Sequence, residues 1–267
     1  MIRGNTKLKK QMKVSIITTC FNRENTIEKA IKSVLSQTYP NIEYIVVDGA
    51  SEDGTMKVIN KYEDQIDLIV SEPDNGMYEA FNKGIMAATG DIIGLLHSDD
   101  MLYSSTTVEL IVNEFRKTKA DLVYGNGIYI TNDEPSKVKR IYPATHHRHY
   151  YLYFGWIPLH TTIYVKREIF EKYGLYDTSY SIASDYEISL RWFTNPLISK
   201  HFIDRYLVKM RLGGKSTSPG LQKKKSSEDF RIIQKYRLWW YVTLSFKIGR
   251  KIPQYILPYL QRTNINY

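Results

Sequence analysis

The sequence predicts an α/β fold with a mostly parallel central sheet. Three observations carry that expectation. From Lys13 to Asp99, short apolar runs alternate with amphipathic helical stretches, in the order βαβαβαβ. The apolar runs are continuous rather than alternating, as in strands covered on both faces. Three of them lead into polar or acidic loops, at Thr18 to Asn22, Asp48 to Asp53 and His97 to Asp100. Crossover connections bring those loops to one edge of the sheet, where open α/β folds bind ligands. A length of 267 residues suits one large domain, or one domain and a tail.

The elements follow in order. Lys13 to Cys20 reads as the first strand, with a turn at Phe21-Asn22-Arg23. A helix from about Asn25 to Gln37 places Ile27, Ala30, Ile31, Val34 and Leu35 on one stripe, and Tyr39-Pro40-Asn41 stops it. Ile42 to Val47 is a second buried strand ending at Asp48, and the polar loop to Thr55 opens a helix reaching about Tyr62. Ile66 to Val70 is a third strand. After the loop Glu72 to Gly76, a helix covers about Met77 to Ala88. The run Asp91 to Leu96 then leads to the acidic pair Asp99-Asp100. Ser104 and Ser105 are the expected N-caps of a helix from Thr106 to Phe115.

Past that point the order changes. Ala120 to Ile130 reads as a strand, and Val138 to Tyr142 pairs back across a turn at Asp133 to Ser136. His160 to Val165 is a strand, and Lys166 to Tyr173 is a short helix closed by Gly174. Ser184 is the expected N-cap of a helix to about Phe193, and Lys200 to Met210 is another strand. Arg211 to Gly220 is Gly/Ser-rich and reads as a mobile loop whose two cations close over a pyrophosphate. A single helical pattern runs from Ser226 to about Ile248, and Ile252 to Leu260 continues it with two prolines. The expected division is a basic segment over 1–12, a catalytic domain over 13–220 with halves at 13–103 and 104–220, and a basic aromatic extension over 221–267.

Composition excludes several classes. The single cysteine, Cys20, excludes an internal disulfide and suggests a reducing compartment. It closes an apolar strand and reads as a small packed residue rather than a nucleophile. No stretch is apolar enough for a signal peptide or a membrane-spanning helix. The net charge of +9 gathers at the two ends, which suggests an anionic partner: a membrane surface, a phosphorylated substrate or nucleic acid. The first turn lacks the Gly-x-Gly-x-x-Gly fingerprint and no Walker loop occurs, so phosphate must be held by a metal and basic side chains.

Two adjacent carboxylates at a strand end, Asp99 and Asp100, repel each other and call for a counter-cation. An oxygen-only site suits Mg²⁺ or Mn²⁺. The alternative is a strand-to-helix turn, where Ser-Asp-Asp is common. Asp185 falls in the first turn of a helix, where a carboxylate also serves simply to complement the dipole. The stretch Ala144 to Pro158 holds His146, His147, His149, Tyr150, Tyr151 and Trp156. It reads equally as a stacking loop for a ring-shaped substrate or as a partly buried aromatic cluster. Trp and Tyr beside Lys and Arg in the C-terminal helices suit an interfacial helix or one that packs back on the domain.

Several stretches together resemble one family. They are Val14 to Asn22, Ser33 to Tyr39, Glu43 to Thr55, Glu72 to Gly84, and Gly94 to Asp100. The others are Asp185 with Glu187 and Arg191, and Gly213-Gly214-Lys215-Ser216. The chain thereby resembles the family 2 glycosyltransferases of GT-A fold that build bacterial polysaccharides, over about residues 12 to 217. Its version of Met77 to Gly84 is similar to the colanic-acid-type branch. Two departures stand out. Phe21 replaces the Tyr frequent in the family, which keeps a ring but removes a hydroxyl. The metal motif His97-Ser98-Asp99-Asp100 has no acid two residues before Asp99, which leaves Asp99 and Asp100 as the candidates.

The resemblance implies a Rossmann-like GT-A sheet with a C-terminal helical extension. It also implies an inverting hexosyl transfer from a nucleotide-sugar, most often a UDP-sugar, assisted by Mg²⁺ or Mn²⁺. Asp100, with Asp99 beside it, would hold the metal. Asp185 would be the base that takes the acceptor proton. Asp48 would anchor base or ribose, Thr19 and Phe21 would line the base pocket, and Asn22 and Lys83 would support it. Arg211 and Lys215 would clamp the diphosphate, and His160 would stand by the acceptor. The implied acceptor is a glycan or a polyprenyl-diphosphate-linked sugar. The implied location is cytoplasmic, in peripheral contact with the inner face of the membrane, with no nucleic-acid partner. Two other readings compete. A sugar-phosphate nucleotidyltransferase would carry a Gly-rich basic loop after the first strand, which Thr18 to Asn25 lacks. A non-enzymatic polyanion- or membrane-binding module would leave Asp48, Asp99, Asp100 and Asp185 unexplained.

Overall fold

A computed structural model describes residues 11–131, 137–213 and 219–260. The first half alternates as expected: β1 (Val14–Cys20), α1 (Ile27–Leu35), β2 (Ile42–Asp48), α2 (Thr55–Ile59), β3 (Leu68–Ser71), α3 (Met77–Ala87) and β4 (Ile92–His97). The second half adds β5 (Met101–Leu102), α4 (Thr107–Thr118), β6 (Leu122–Ile130), β7 (Val138–Tyr142), β8 (Tyr164–Lys166), α5 (Arg167–Tyr173), α6 (Ser184–Thr194) and β9 (Lys200–Arg211). Three helices follow: α7 (Gln222–Lys235), α8 (Trp240–Gly249) and α9 (Lys251–Leu260).

One sheet runs β3-β2-β1-β4-β8-β6-β9-β5, with β7 paired to β6. β1 is parallel to both β2 and β4, and β2 is parallel to β3. β8 lies antiparallel between β4 and β6, and β9 runs parallel to β6. The register aligns the strand ends. Cys20 sits opposite Asp48, Asp48 opposite Ser71, and Thr19 opposite His97. The loops beyond them therefore share one edge, as the sequence implies.

The continuous apolar runs are explained by two cores, one on each face of the sheet. Ile17, Ile45 and Val47 face one core with Phe81 of α3, Phe193 of α6 and Ile232 of α7. Their neighbours Ile16, Tyr44 and Val46 face the other with Ile31 of α1 and Phe115 of α4. Alternate side chains of a strand point to opposite faces, so both sets must be apolar. Gly94 of β4 lies opposite Tyr164 of β8, and a Cβ there would overlap the Tyr164 ring. Gly94→Ala is expected to destabilise the fold by about 1–3 kcal/mol, read from urea unfolding.

Four local expectations change. The run His160 to Val165 is not one strand, because His160–Thr162 turns as a 3₁₀ helix. The Thr162 hydroxyl lies 2.7 Å from the Leu159 carbonyl and 3.0 Å from the Gly125 carbonyl, offering the backbone an alternative to a ladder. The helical pattern from Ser226 to Ile248 is broken in two. Arg237 takes a left-handed φ of 54°. Its amide donates to the Gln234 carbonyl and that of Leu238 to the Ile233 carbonyl, both at 3.0 Å. This is a Schellman closure with arginine where glycine is usual. Thr106, not Ser104 or Ser105, holds the N-cap position of α4. Ala183 holds that of α6, and Ser184 is its first helical residue.

Candidate active site

The loop edge is built on Asp48, which is fully buried at the end of β2. Its carboxylate accepts from the Ser51 amide at 2.9 Å and the Ser71 hydroxyl at 2.8 Å, and also from the Ser51 hydroxyl. Ser51 Oγ in turn accepts from the Asn22 amide at 2.8 Å, and Asn22 Oδ1 accepts from the Glu52 amide at 2.9 Å. Asp48 and Asn22 are thus joined through Ser51 and shape the loop. Asn22 and Ala50 both lie in the left-handed region, at φ 53° and 61°. That conformation is strained for an alanine. Thr19 is buried, whereas Phe21 is 54% exposed, a ring presented at the edge. Burial, then the Asp48 charge, push the Cys20 thiol up, so it stays a packed thiol. Lys83 on α3 pairs with Glu72 at 2.9 Å and Glu79 at 3.5 Å, and donates to the Pro73 carbonyl at 2.9 Å. It braces the loop after β3.

Asp100 follows β4 and is 1% exposed. Its Oδ1 accepts the Arg211 amide at 3.0 Å. Its Oδ2 is buried with no hydrogen-bond partner among the described residues. Burial and then Asp99 raise its pKa well above the carboxylate range, while the Arg211 amide and guanidinium pull the other way. A buried carboxylate oxygen with no donor, beside a second carboxylate, fits a divalent cation. Among the described residues no three His, Cys, Asp or Glu side chains gather into a closed cage. The donor set therefore suits an ion held by one or two carboxylates, with a diphosphate and water completing its shell. Lys215 lies outside the described residues.

Asp185 is the second residue of α6 and half-buried. Its Oδ1 accepts the Tyr78 hydroxyl at 3.1 Å, and that hydroxyl lies 2.8 Å from the Ile182 carbonyl. Its Oδ2 lies 3.3 Å from His160 Nδ1, and His160 Nε2 lies 2.6 Å from Nε2 of His97. Burial lowers the pKa of both histidines, that of His97 to about 3. Both rings are then neutral, which assigns their protons. With Nδ1–H of His160 on Asp185, its Nε2 accepts, and His97 must donate from Nε2. A continuous string therefore runs from His97, two residues before Asp99, to Asp185. Burial works against ionisation of Asp185. His160, Lys225, Lys247 and the Tyr78 hydroxyl outweigh it and hold the carboxyl below its usual range.

The companions Glu187 and Arg191 point elsewhere. Glu187 is fully buried and holds Arg191, Lys235 Nζ at 2.7 Å and the Tyr236 hydroxyl at 2.8 Å. Arg191 also donates to the Leu175 carbonyl at 2.8 Å. This pair fastens α6 to α7 and to the loop after α5. The aromatic stretch is buried only in part: Trp156 is buried and edge-on to Tyr124 and Phe193, whereas His146, His149, Tyr150 and Phe154 are exposed. Tyr78, whose hydroxyl meets Asp185, is a site residue to which the sequence assigned no role. Tyr78 lies within the stretch Glu72 to Gly84.

Comparison with known proteins gives one consistent picture. A family model described as glycosyl transferase family 2 matches residues 15–174. An uncharacterised glycosyltransferase of Mycobacterium tuberculosis is 32% identical over 181 residues, covering 67% of this chain and 68% of the relative. A PGL/p-HBAD biosynthesis glycosyltransferase of Mycobacterium bovis is 27% identical over 198 residues, covering 72% and 73%. Among solved structures, S. aureus TarS 1-349 in complex with UDP-GlcNAc matches at TM-score 0.64 and 16% identity, over 83% of this chain and 65% of that one. The mannosyltransferase PcManGT from Pyrobaculum calidifontis, in complex with GDP-Man and Mn²⁺, matches at TM-score 0.64 and 15% identity, over 97% and 77%. At these identities the structures establish the fold, a GT-A sheet.

Proposed function

The chain belongs to glycosyl transferase family 2 and is a transferase enzyme, and from that premise we propose an inverting transfer of a hexosyl group from a UDP-sugar to a glycan hydroxyl. The acceptor is a glycan or a polyprenyl-diphosphate-linked sugar in bacterial surface-polysaccharide assembly. The observation that carries this reading is the string His97–His160–Asp185, which links the strand of the acidic pair to an ionised carboxylate.

The acceptor oxygen attacks the anomeric carbon from the face opposite the diphosphate. The C–O bond to the diphosphate breaks, and its electron pair leaves on the phosphate oxygen. The acceptor proton passes to Asp185, whose carboxylate has lone pairs beyond the two engaged by Tyr78 and His160. Asp100 and Asp99 would hold Mg²⁺ or Mn²⁺, which supplies charge neutralisation on the leaving diphosphate. Arg211, whose amide is on Asp100, and Lys215 would add cations to it. Asp48 and Asn22 would present the base-side loop, with Thr19 and Phe21 beside it, and Lys83 would keep the neighbouring loop in place. The test is a panel of UDP-, GDP- and dTDP-sugars with Mn²⁺ or Mg²⁺, reading nucleoside diphosphate release. Metal-dependent release from one donor is expected. A protein that binds no donor with metal present refutes the reading.

The proposal includes the membrane surface. No described helix is long and apolar enough to cross a membrane. α8 and α9 dock through Thr243, Gln254 and Pro258, yet they leave Trp240, Tyr241, Phe246, Ile252, Ile256 and Tyr259 exposed. Exposed Lys223, Lys224, Arg237 and Lys251 accompany them. Aromatic and aliphatic residues among cations suit the headgroup region of an anionic bilayer. The protein is expected to sediment with phosphatidylglycerol-containing vesicles and not with phosphatidylcholine alone. Replacing Trp240 and Phe246 by Ala is expected to weaken that binding about tenfold. Equal binding to both vesicle types would refute the electrostatic part.

A further inference from the structure

Glu228 lies on α7, far along the chain from the candidate active site, and is 5% exposed. Among the described residues its carboxylate accepts four hydrogen bonds, all from the segment that leads into α6. Oε1 takes the Ser181 amide at 3.0 Å and the Ser181 hydroxyl at 2.9 Å. Oε2 takes the amides of Ile182 and Ala183, each at 2.9 Å. Ala183 is the N-cap residue of α6, and Asp185 follows two residues later. The carbonyl of Ile182 lies within hydrogen-bond distance of the Tyr78 hydroxyl that also meets Asp185. One buried carboxylate therefore fixes the three residues before the helix, and through Ile182 it also fixes Tyr78.

Ser184 does not cap this helix through its own side chain, and its hydroxyl has no hydrogen-bond partner among the described residues. The segment's amides are satisfied from α7 instead. Backbone N–H groups in a row prefer a carboxylate, and such charge-assisted bonds are stronger than neutral ones. The bonds also lower the pKa of Glu228 against the opposing pull of burial, so the acceptor stays ionised.

We propose that Glu228 is a positioning residue for the transfer reaction, holding residues 181–183 so that Asp185 and Tyr78 meet in reactive geometry. The inference rests on the assignment of Asp185 as the base. Glu228 touches neither donor nor acceptor; it acts on chemistry through the backbone it holds. A small displacement of a reacting group lowers turnover steeply.

The test is a cycle of Glu228→Gln, Asp185→Asn and the double variant, in the full chain, with nucleoside diphosphate release from the donor that turns over in the panel. Binding of UDP or GDP with Mn²⁺ is followed by calorimetry. Glu228→Gln keeps the shape but turns two donors toward an amide NH₂. It is expected to lower kcat about tenfold or more while leaving donor KM and nucleotide binding unchanged. In the Asp185→Asn background the same change is expected to add less than about twofold, because both act on one step. Glu228→Asp is expected to fall between wild type and Gln. Full multiplication of the two losses, or a matching loss of nucleotide binding, would assign Glu228 a purely structural role and overturn the inference. Should Glu228→Gln not fold, Ser181→Ala removes one of the four bonds at an exposed position. It is expected to lower kcat several-fold with nucleotide binding intact, and unchanged kcat there overturns the inference. If Asp185→Asn itself keeps full turnover, the base assignment falls, and that outcome is read independently of Glu228.

Discussion

Asp185→Asn is expected to lower kcat about a thousandfold while nucleotide binding in the presence of metal stays as in the wild type. The variant is close to isosteric. Its amide oxygen still accepts the Tyr78 hydroxyl that reaches Oδ1 at 3.1 Å, so α6 keeps its place. It loses the ability to take a proton, and its NH₂ now faces His160 Nδ1, which must give up its own proton to accept. Loss of nucleotide binding alongside turnover would instead put Asp185 in the donor site. The pH profile gives an independent reading. The carboxyl is held below its ordinary range, so it is ionised at neutral pH. Catalysis is therefore expected to fall only as pH drops through a value under the usual aspartate figure of about 4. The stability that ionised Asp185 contributes is lost in that same window. His160→Leu keeps the site apolar but removes the N–H on Oδ2. Burial, which opposes ionisation, then goes less answered, and the acid limb is expected to move upward. A limb that does not move would show that His160 does not act on the base.

The part of this molecule that the sequence makes legible is the part governed by strand periodicity. β1, β2 and β4 are continuous apolar runs because each has a core on both faces, and the loops after their aligned ends had to converge. Asp48 and Asp100 follow from that alignment. Their surroundings do not. That Asp48 is engaged by Ser71 depends on the register of β2 with β3, and Ser71 carries no signal of its own. The His160–Thr162 turn looks like a strand because β-branched residues favour strands. The Thr162 hydroxyl instead lies between the local Leu159 carbonyl and the Gly125 carbonyl of another element, a position that strand propensity does not announce. The stop at Arg237 lacks the glycine that announces a left-handed closure, and it is held by the buried pair Ile233 and Leu238. Glu228 is a further case of the same kind. A glutamate in a Lys-rich helix reads as a solvated charge, and its partners lie more than forty residues back.

Asp100→Asn is expected to remove metal-dependent turnover, by about a hundredfold or more, without lowering the stability of the metal-free protein. The two halves of this result have one cause. Among the described residues Asp100 Oδ2 is buried without a hydrogen-bond partner, and burial with Asp99 alongside raises the carboxyl pKa well above its unfolded value. A carboxyl with a raised folded pKa contributes stability that is present below the unfolded value and is lost as pH rises through the folded one. At neutral and alkaline pH the metal-free wild type therefore carries a destabilising group. The amide carries no charge to desolvate, and its oxygen still accepts the Arg211 amide that now sits 3.0 Å from Oδ1. Metal-free, the variant is expected to melt at or above the wild-type temperature at pH 8, with the difference shrinking as pH falls into the carboxyl range. Adding Mn²⁺ with UDP should raise the melting temperature of the wild type, since a ligand that binds only the folded state stabilises it, and should leave the variant unmoved. An Asn variant that melts well below wild type at every pH would show that Asp100 is a structural carboxylate. One that keeps its Mn²⁺-induced shift would move the cation elsewhere. The stability difference reports on the orphaned oxygen, and the Mn²⁺ shift reports on what that oxygen is for, so the two readouts separate a strained turn from a metal ligand.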